Sequence, residues 1–302
     1  MPRAAENLHR MPRDSPSSER QRRATPRQGE PAGGAASDDS NAQGPRGSDI
    51  LMIVPLKARQ GVPDIEAQRS YYDERWAKAQ HANPWQLQRA IAVLEGLRMI
   101  NRRSPRILDV GCGTGWLTSI LGRFGPTTGI DLSPVAIRRA RVLYPDVTFI
   151  AGDLFDFESW SAVFDVVVSV QVIDHMEDQA RFVEHVARLL TPGGHCILVT
   201  TNARNVSYWT LEHFERFAAG FQPIERWLTP GQLQFLLVPN FRLRRLWTIL
   251  PIFGDRGIFR VAGSVKLART LERLGVLGAY QRILLRAGFG LVMAAVADRR
   301  SR

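Results

Sequence analysis

A short, mostly apolar run, Ile107–Val110, leads directly into Gly111-Cys112-Gly113-Thr114-Gly115. A short strand that meets three alternate glycines must turn sharply, and Gly115–Phe124 after the turn reads as a helix. Glycine at such a turn lets the backbone approach a ligand where a Cβ would clash. Strand, turn and helix form the opening unit of an α/β sheet, and residues 106–201 repeat the alternation. Further strands are predicted at Thr127–Asp131, Val147–Ala151, Phe164–Val170 and Cys196–Thr200. The β-branched Val166-Val167-Val168 suits burial on both faces. Ser133-Pro134 supplies a helix cap with proline at the first helical position. Thr191-Pro192-Gly193-Gly194 ends a helix predicted over Arg181–Leu190. The expected fold is Rossmann-like α/β, a doubly wound, mostly parallel sheet with helices on both faces.

The acids around the glycines narrow the ligand. The spacing is G-x-G-x-G, not the G-x-G-x-x-G/A of dinucleotide sites. Asp109 lies two residues before the first glycine, where it would repel a pyrophosphate and attract an ammonium group. Asp131 follows 22 residues later, at the end of the next strand, where an acid accepts hydrogen bonds from ribose hydroxyls. Gly152-Asp153-Leu154 follows the third strand; its carboxylate suits an adenine amino group and Leu154 the ring face. Taken singly, each motif also has a plain structural reading as a tight turn, a helix cap or a turn residue. Their joint spacing is what points to a ligand. Cys112 reads as a small packed residue of the turn, not a nucleophile.

On these residues the segment 106–201 resembles the class I S-adenosylmethionine (SAM) dependent methyltransferases. Ile107–Gly115, Thr128–Ser133, Gly152–Leu154, Phe164–Ser169 and Leu189–Gly194 fall in that family's order and spacing. The resemblance implies a seven-stranded sheet, S-adenosyl-L-methionine as cofactor and in-line methyl transfer to a nucleophile. It implies a cofactor site built by Asp109, Gly111, Cys112, Gly113, Gly115, Asp131, Leu132, Gly152, Asp153, Leu154 and Gln171. His175 lies just after the fourth strand, at the carboxyl edge where parallel sheets bind ligands. It is the candidate general base; capping the following loop is the structural alternative. The same stretch is similar to the quinone-biosynthesis O-methyltransferases, in which two glutamates and a histidine can hold a divalent metal. Gln171, Asp174 and His175 stand there in this chain, one anionic ligand short, so no metal is expected. The Asn-Pro-Pro-Tyr type motif of enzymes that methylate exocyclic or amide nitrogens is replaced by Val170-Gln171-Val172-Ile173. The leading expectation is methyl transfer to a hydroxyl of a small or lipid-like, amphiphilic acceptor. An RNA methyltransferase and a non-catalytic SAM-binding module are the alternatives, and the glycine spacing disfavours an NAD-dependent reductase.

The flanks differ from this core. Residues 1–49 are rich in Arg, Pro, Ser and Gly and nearly free of large apolar side chains, so they are expected to form a disordered tail. Met52 would serve equally as a start. The methyltransferase domain is expected over 50–302. Residues 66–100 read as helical, with Leu87, Ile91, Leu94 and Leu97 on one face. Tyr71–Trp76 reads as a lid or an anchor. Thr229-Pro230 opens a capped helix, and strands are expected at Phe241–Trp247 and Phe289–Ala297. Between these strands a basic helical insertion is expected over about 249–287.

The formal charge of +11 is concentrated there, since residues 240–302 carry 13 basic and 3 acidic side chains. Leu267, Leu271 and Leu274 would share one helical face opposite Lys266, Arg269 and Arg273, with Arg242, Arg244, Arg245, Arg256, Arg260, Arg282 and Arg286 adding to the field. That pattern suits an anionic membrane surface, a phosphate-bearing substrate or RNA, or simply a solvated face. Two cysteines provide no disulfide framework, and no apolar run reaches the ~20 residues of a spanning helix. The N-terminus has no apolar secretory core. A cytoplasmic protein, at most peripheral on the inner membrane face, is expected.

Overall fold

The computed structural model describes residues 62–78, 84–157, 159–210, 212, 214 and 222–300. These lie in one compact unit, residues 46–302. The expectation for residues 1–49 lies outside the described residues.

Seven strands form one sheet in the order β3-β2-β1-β4-β5-β7-β6. They are β1 (Ile107–Val110), β2 (Thr127–Asp131), β3 (Thr148–Ala151), β4 (Phe164–Val170), β5 (Leu190–Thr201), β6 (Phe241–Ile249) and β7 (Val292–Arg299). Pairing is parallel from β3 through β5, and β7 runs antiparallel to both of its neighbours. β1 and nearly all of β4 are buried, as strands covered on both faces must be. The strand order reverses between β1 and β4, so the crevice beyond their carboxyl ends is where such a sheet binds ligands.

The helices before β6 are α1 (Ile65–Lys78), α2 (Pro84–Ile100), α3 (Trp116–Leu121), α4 (Pro134–Leu143), α5 (Gln179–Leu189), α6 (Ala203–Val206) and α7 (Pro230–Leu237). Helix α2 corrects the expected face. Leu87 and Ile91 are 51% and 48% exposed, whereas Ala90, Val93, Gly96, Leu97 and Ile100 are buried. The cause is close packing on the sheet: a Cβ on Gly96 would sit 3.0 Å from Ile197 Cδ1 and 3.1 Å from Val296 Cγ2. Ala90, Val93, Gly96, Leu97 and Ile100 therefore make the packed face, with glycine at the closest approach to β5 and β7, while Leu87 and Ile91 point outward.

The helical insertion lies between β6 and β7 and comprises α8 (Ile258–Ala262), α9 (Val265–Arg273) and α10 (Leu277–Arg286). Val292 pairs with Ile249 on one side and Thr201 on the other. Thr201 closes β5, so the insertion springs from the same carboxyl edge as the crevice. Phe289 and Gly290, expected to begin the last strand, instead belong to the insertion's anchor: Asn205 Nδ2 donates to Phe289 O at 2.6 Å and Asn202 Nδ2 to Gly290 O at 2.8 Å.

Candidate active site

The turn after β1 is closed by main-chain bonds from Gly111 N and Cys112 N to Ile130 O, at 2.8 and 3.0 Å. Gly111 and Gly113 adopt φ of 72° and 54°. A Cβ on Gly113 would meet the Trp76 ring at 2.6 Å, and one on Gly111 would meet Val172 Cγ2 at 2.3 Å. Only glycine satisfies both the left-handed backbone and the space. Trp76 comes from α1, which is fastened to the start of α4: Asp73 Oδ1 accepts from Val135 N at 3.1 Å and from the Ser133 hydroxyl. An acid at a helix N-terminus is favoured by the orphan amides and the macrodipole. Tyr71–Trp76 therefore acts as an anchored wall, and Tyr72, Arg75 and Trp76 line the crevice.

That crevice is a cavity of about 500 Å³, in the range of small-molecule sites. It is lined by Asp109, Gly111, Cys112, Asp131, Leu132, Gly152, Asp153, Leu154, Gln171 and His175 together. Gly113 lies beneath Trp76 and Gly115 against Phe149; both shape the turn without lining the cavity.

The two strand-end acids are buried and held. Asp109 Oδ2 accepts from Thr118 Oγ1 at 2.7 Å. Asp131 accepts from Gly113 N at 2.8 Å and from Ser133 N at 2.9 Å, which ties the glycine turn to the end of β2. Burial raises the Asp109 carboxyl from 3.8 to about 7, against the Thr118 hydrogen bond. Burial likewise raises Asp131 to about 6, against the two backbone amides. Asp153 caps a short turn, accepting from Phe155 N at 3.0 Å, and places buried Leu154 against the cavity. Burial, with Asp131 and Asp109 nearby, pushes the Cys112 thiol well up, so it stays protonated.

These shifts set a pH dependence. An acid raised in the folded state contributes stability that is present below its unfolded value and lost as pH rises through its folded value. The ligand-free protein should therefore gain stability as pH falls from about 7 to about 4 through Asp109 and Asp131. Thermal melts across that window should show a smaller gain for Asp109→Asn than for wild type. Parallel curves would show that Asp109 is not titrating there.

Beyond β4 the chain forms a tight turn, Ile173–His175. Gln171 precedes it with φ of 57°; its Oε1 accepts from Thr201 Oγ1 at 3.1 Å, and its buried Nε2 has no partner. His175 Nδ1 lies 2.8 Å from Ile224 O. A carbonyl only accepts, so Nδ1 carries the proton. Nε2 then presents its lone pair and takes the Gln222 amide donor at 2.6 Å, beside the cavity. Buried carboxylates flank the ring, with Asp174 Oδ1 3.8 Å from Nε2 and Glu225 Oε2 3.8 Å from Nδ1. Both Asp174 oxygens are buried without a hydrogen-bond partner. Burial raises Glu225 to about 7. Burial, then Asp174, Asp131 and Glu225, hold the Tyr72 phenol above its usual range. Across the cavity, burial lowers Arg89 to about 10 despite Asp174, and its Nε is unpartnered. Among the described residues, no three His, Cys, Asp or Glu side chains converge on a metal position.

Sequence reasoning missed Arg89, Gln222 and Glu225. Arg89 carries one faint signal, a lone cation on the sheet-facing side of α2, one position before buried Ala90. Gln222 and Glu225 reach His175 across nearly fifty residues, and no local pattern marks them.

The geometry fits an adenosine-bearing ligand: a glycine cradle that a Cβ would fill, an acid at the end of β2, and buried unpartnered donors facing the same space. Comparisons with known proteins agree. Residues 108–198 match the family described as methyltransferase domain. A ubiquinone biosynthesis O-methyltransferase of Thiobacillus denitrificans is 37% identical over 122 residues, which span 37% of this chain and 53% of that protein. The chloroplastic tocopherol O-methyltransferase of Arabidopsis thaliana is 36% identical over 114 residues, 35% of this chain and 33% of the relative. The chain thus spans about half the length, or less, of these curated relatives. The fold is similar to that of an N-methyltransferase of Bradyrhizobium japonicum crystallised with S-adenosyl-L-homocysteine. The TM-score is 0.53 at 16% identity, covering 78% of this chain and 99% of that one.

Proposed function

We propose that this chain, which carries a class I SAM-dependent methyltransferase domain and uses SAM as cofactor, methylates a hydroxyl of a small, amphiphilic acceptor. One observation carries the reading: Ile224 O fixes the tautomer of His175 so that the unprotonated Nε2 stands at the cavity wall beyond β4. A hydroxyl acceptor must lose its proton as the bond to the methyl carbon forms, and a positioned neutral imidazole can take it. The Gln222 amide occupies the lone pair in the structure, and the acceptor hydroxyl would replace it there.

SAM, when bound, supplies an electrophilic methyl group on a sulfonium leaving group. The chain's residues then have to hold and align. Asp131 would accept from the ribose hydroxyls while keeping the glycine turn closed. Asp153 and Leu154 would take the adenine edge and face. Asp109 would face the ammonium group, and the unpartnered donors of Gln171 and Arg89 suit the carboxylate at the same end. Trp76 and Tyr72 would shut out water, so that two reactants meet in a fixed geometry. The two relatives, named as O-methyltransferases of ubiquinone biosynthesis and of tocopherol, support a hydroxyl acceptor. A radiolabelled methyl group from SAM should appear in the organic-solvent fraction of a cell extract incubated with the protein. Label confined to RNA or protein would reject the acceptor class.

A further inference from the structure

We propose that the outward face of α8–α10 is a docking surface for a membrane rich in anionic lipid. This goes beyond the acceptor reading and does not depend on it. The insertion is a fixed platform. Asn202 Nδ2 donates to Gly288 O at 3.0 Å and Asn205 Nδ2 to Ile252 O at 2.8 Å. Thr248 Oγ1 donates to Leu285 O at 2.7 Å, and Arg256 N to Tyr208 O at 3.0 Å.

What the platform shows to solvent differs from the sequence expectation in two respects. First, Leu267 and Leu271 are half-buried on the inner side, while Leu274 caps α9 and is exposed. The outward apolar set is Ile258, Val261, Val265, Leu274, Val276 and Ile283, each 43–74% exposed. Second, the arginines of β6 are ion-paired and not free. Arg242 and Arg244 pair with Asp298, and Arg245 pairs with Glu95. The cations of the insertion, Arg256, Arg260, Lys266, Arg269, Arg273, Arg282 and Arg286, are all exposed, and among the described residues none is in an ion pair.

Exposed aliphatic side chains interleaved with unpaired cations match one partner chemistry. The aliphatic groups gain by entering the headgroup–acyl boundary while the cations meet anionic headgroups. RNA would use the cations alone. Single-stranded RNA would also stack its bases on exposed aromatic faces, and here Phe259 is buried while Phe253, Tyr280 and Phe289 are half-buried. Among the described residues no helix is long and apolar enough to cross a membrane, so the contact is interfacial. The platform stands on the carboxyl edge of the sheet, the edge that carries the cavity, so docking would bring an amphiphilic acceptor close to the site.

The full chain should be sedimented with phosphatidylcholine vesicles with and without phosphatidylglycerol, at low and high salt. Binding should require the anionic lipid and fall as salt shortens the screening length. Arg269→Gln, Arg273→Gln, Arg282→Gln and Arg286→Gln combined should weaken it at least about tenfold, since each cation near the surface is worth roughly fivefold. Val265→Ser with Ile283→Ser should also weaken it and should change its salt dependence little. SAM affinity in both variants should match wild type, which separates a lost surface from a lost fold. The proposal is overturned by absence of vesicle binding, by equal binding to neutral vesicles, by charge variants that bind as wild type, or by salt-sensitive capture of RNA without vesicle binding.

Discussion

Replacing His175 by alanine should lower turnover on a hydroxyl acceptor by about 10²–10⁴, the usual effect of removing a positioned base. SAM affinity should be nearly unchanged, because the ring follows β4 and the acids that would hold the cofactor come from other strands. The geometry also offers a control. His175 is tied to the segment 222–225 through Ile224 O and Gln222, so its loss removes both a base and an anchor. Gln222→Ala removes part of the anchor and leaves Nε2 in place. It should keep turnover within severalfold of wild type. A fall as deep as that of His175→Ala would mean that His175 acts by holding the segment, and turnover of His175→Ala within threefold of wild type would exclude it as a base. The 3.8 Å separations from Asp174 and Glu225 suit electrostatic support of an imidazolium formed during the reaction.

How much of this was legible in the sequence depends on how local the cause is. The glycine turn, Asp131 and Asp153 were legible because each lies at a strand end, and the strands announce themselves by short β-branched runs. The capped start of α4 was legible because Ser133 accepts from Ala136 N within its own turn. The face of α2 was misread because hydrophobic size and burial parted company. At Gly96 the sheet surface leaves no room for a side chain, a fact held by Ile197 and Val296, a hundred or more residues away. The same separation hid the set around His175. Tyr72 on α1, Arg89 on α2 and Glu225 before α7 meet only through the folded sheet. On the insertion, net charge was visible and its partition was not. Whether an arginine is neutralised depends on Asp298 and Glu95, which the antiparallel strands and the sheet-packed α2 bring alongside.

Asp131 is the most exacting test of the cavity beyond β1, β2 and β4 as the SAM site. Removing a charged acceptor from two ribose hydroxyls should cost about 1.5–3 kcal/mol, roughly a 10- to 150-fold loss of affinity. Asp131→Ala also frees Gly113 N and Ser133 N, which loosens the turn itself. Asp131→Asn keeps a side-chain oxygen for one of these amides and loses the charge, so its affinity should fall between the alanine variant and wild type. The direct measurement is a calorimetric titration of SAM into wild type and both variants. Binding of one SAM per chain, weakened at least tenfold by Asp131→Ala with Asp131→Asn intermediate, is the predicted result. Unchanged affinity in Asp131→Ala would contradict it.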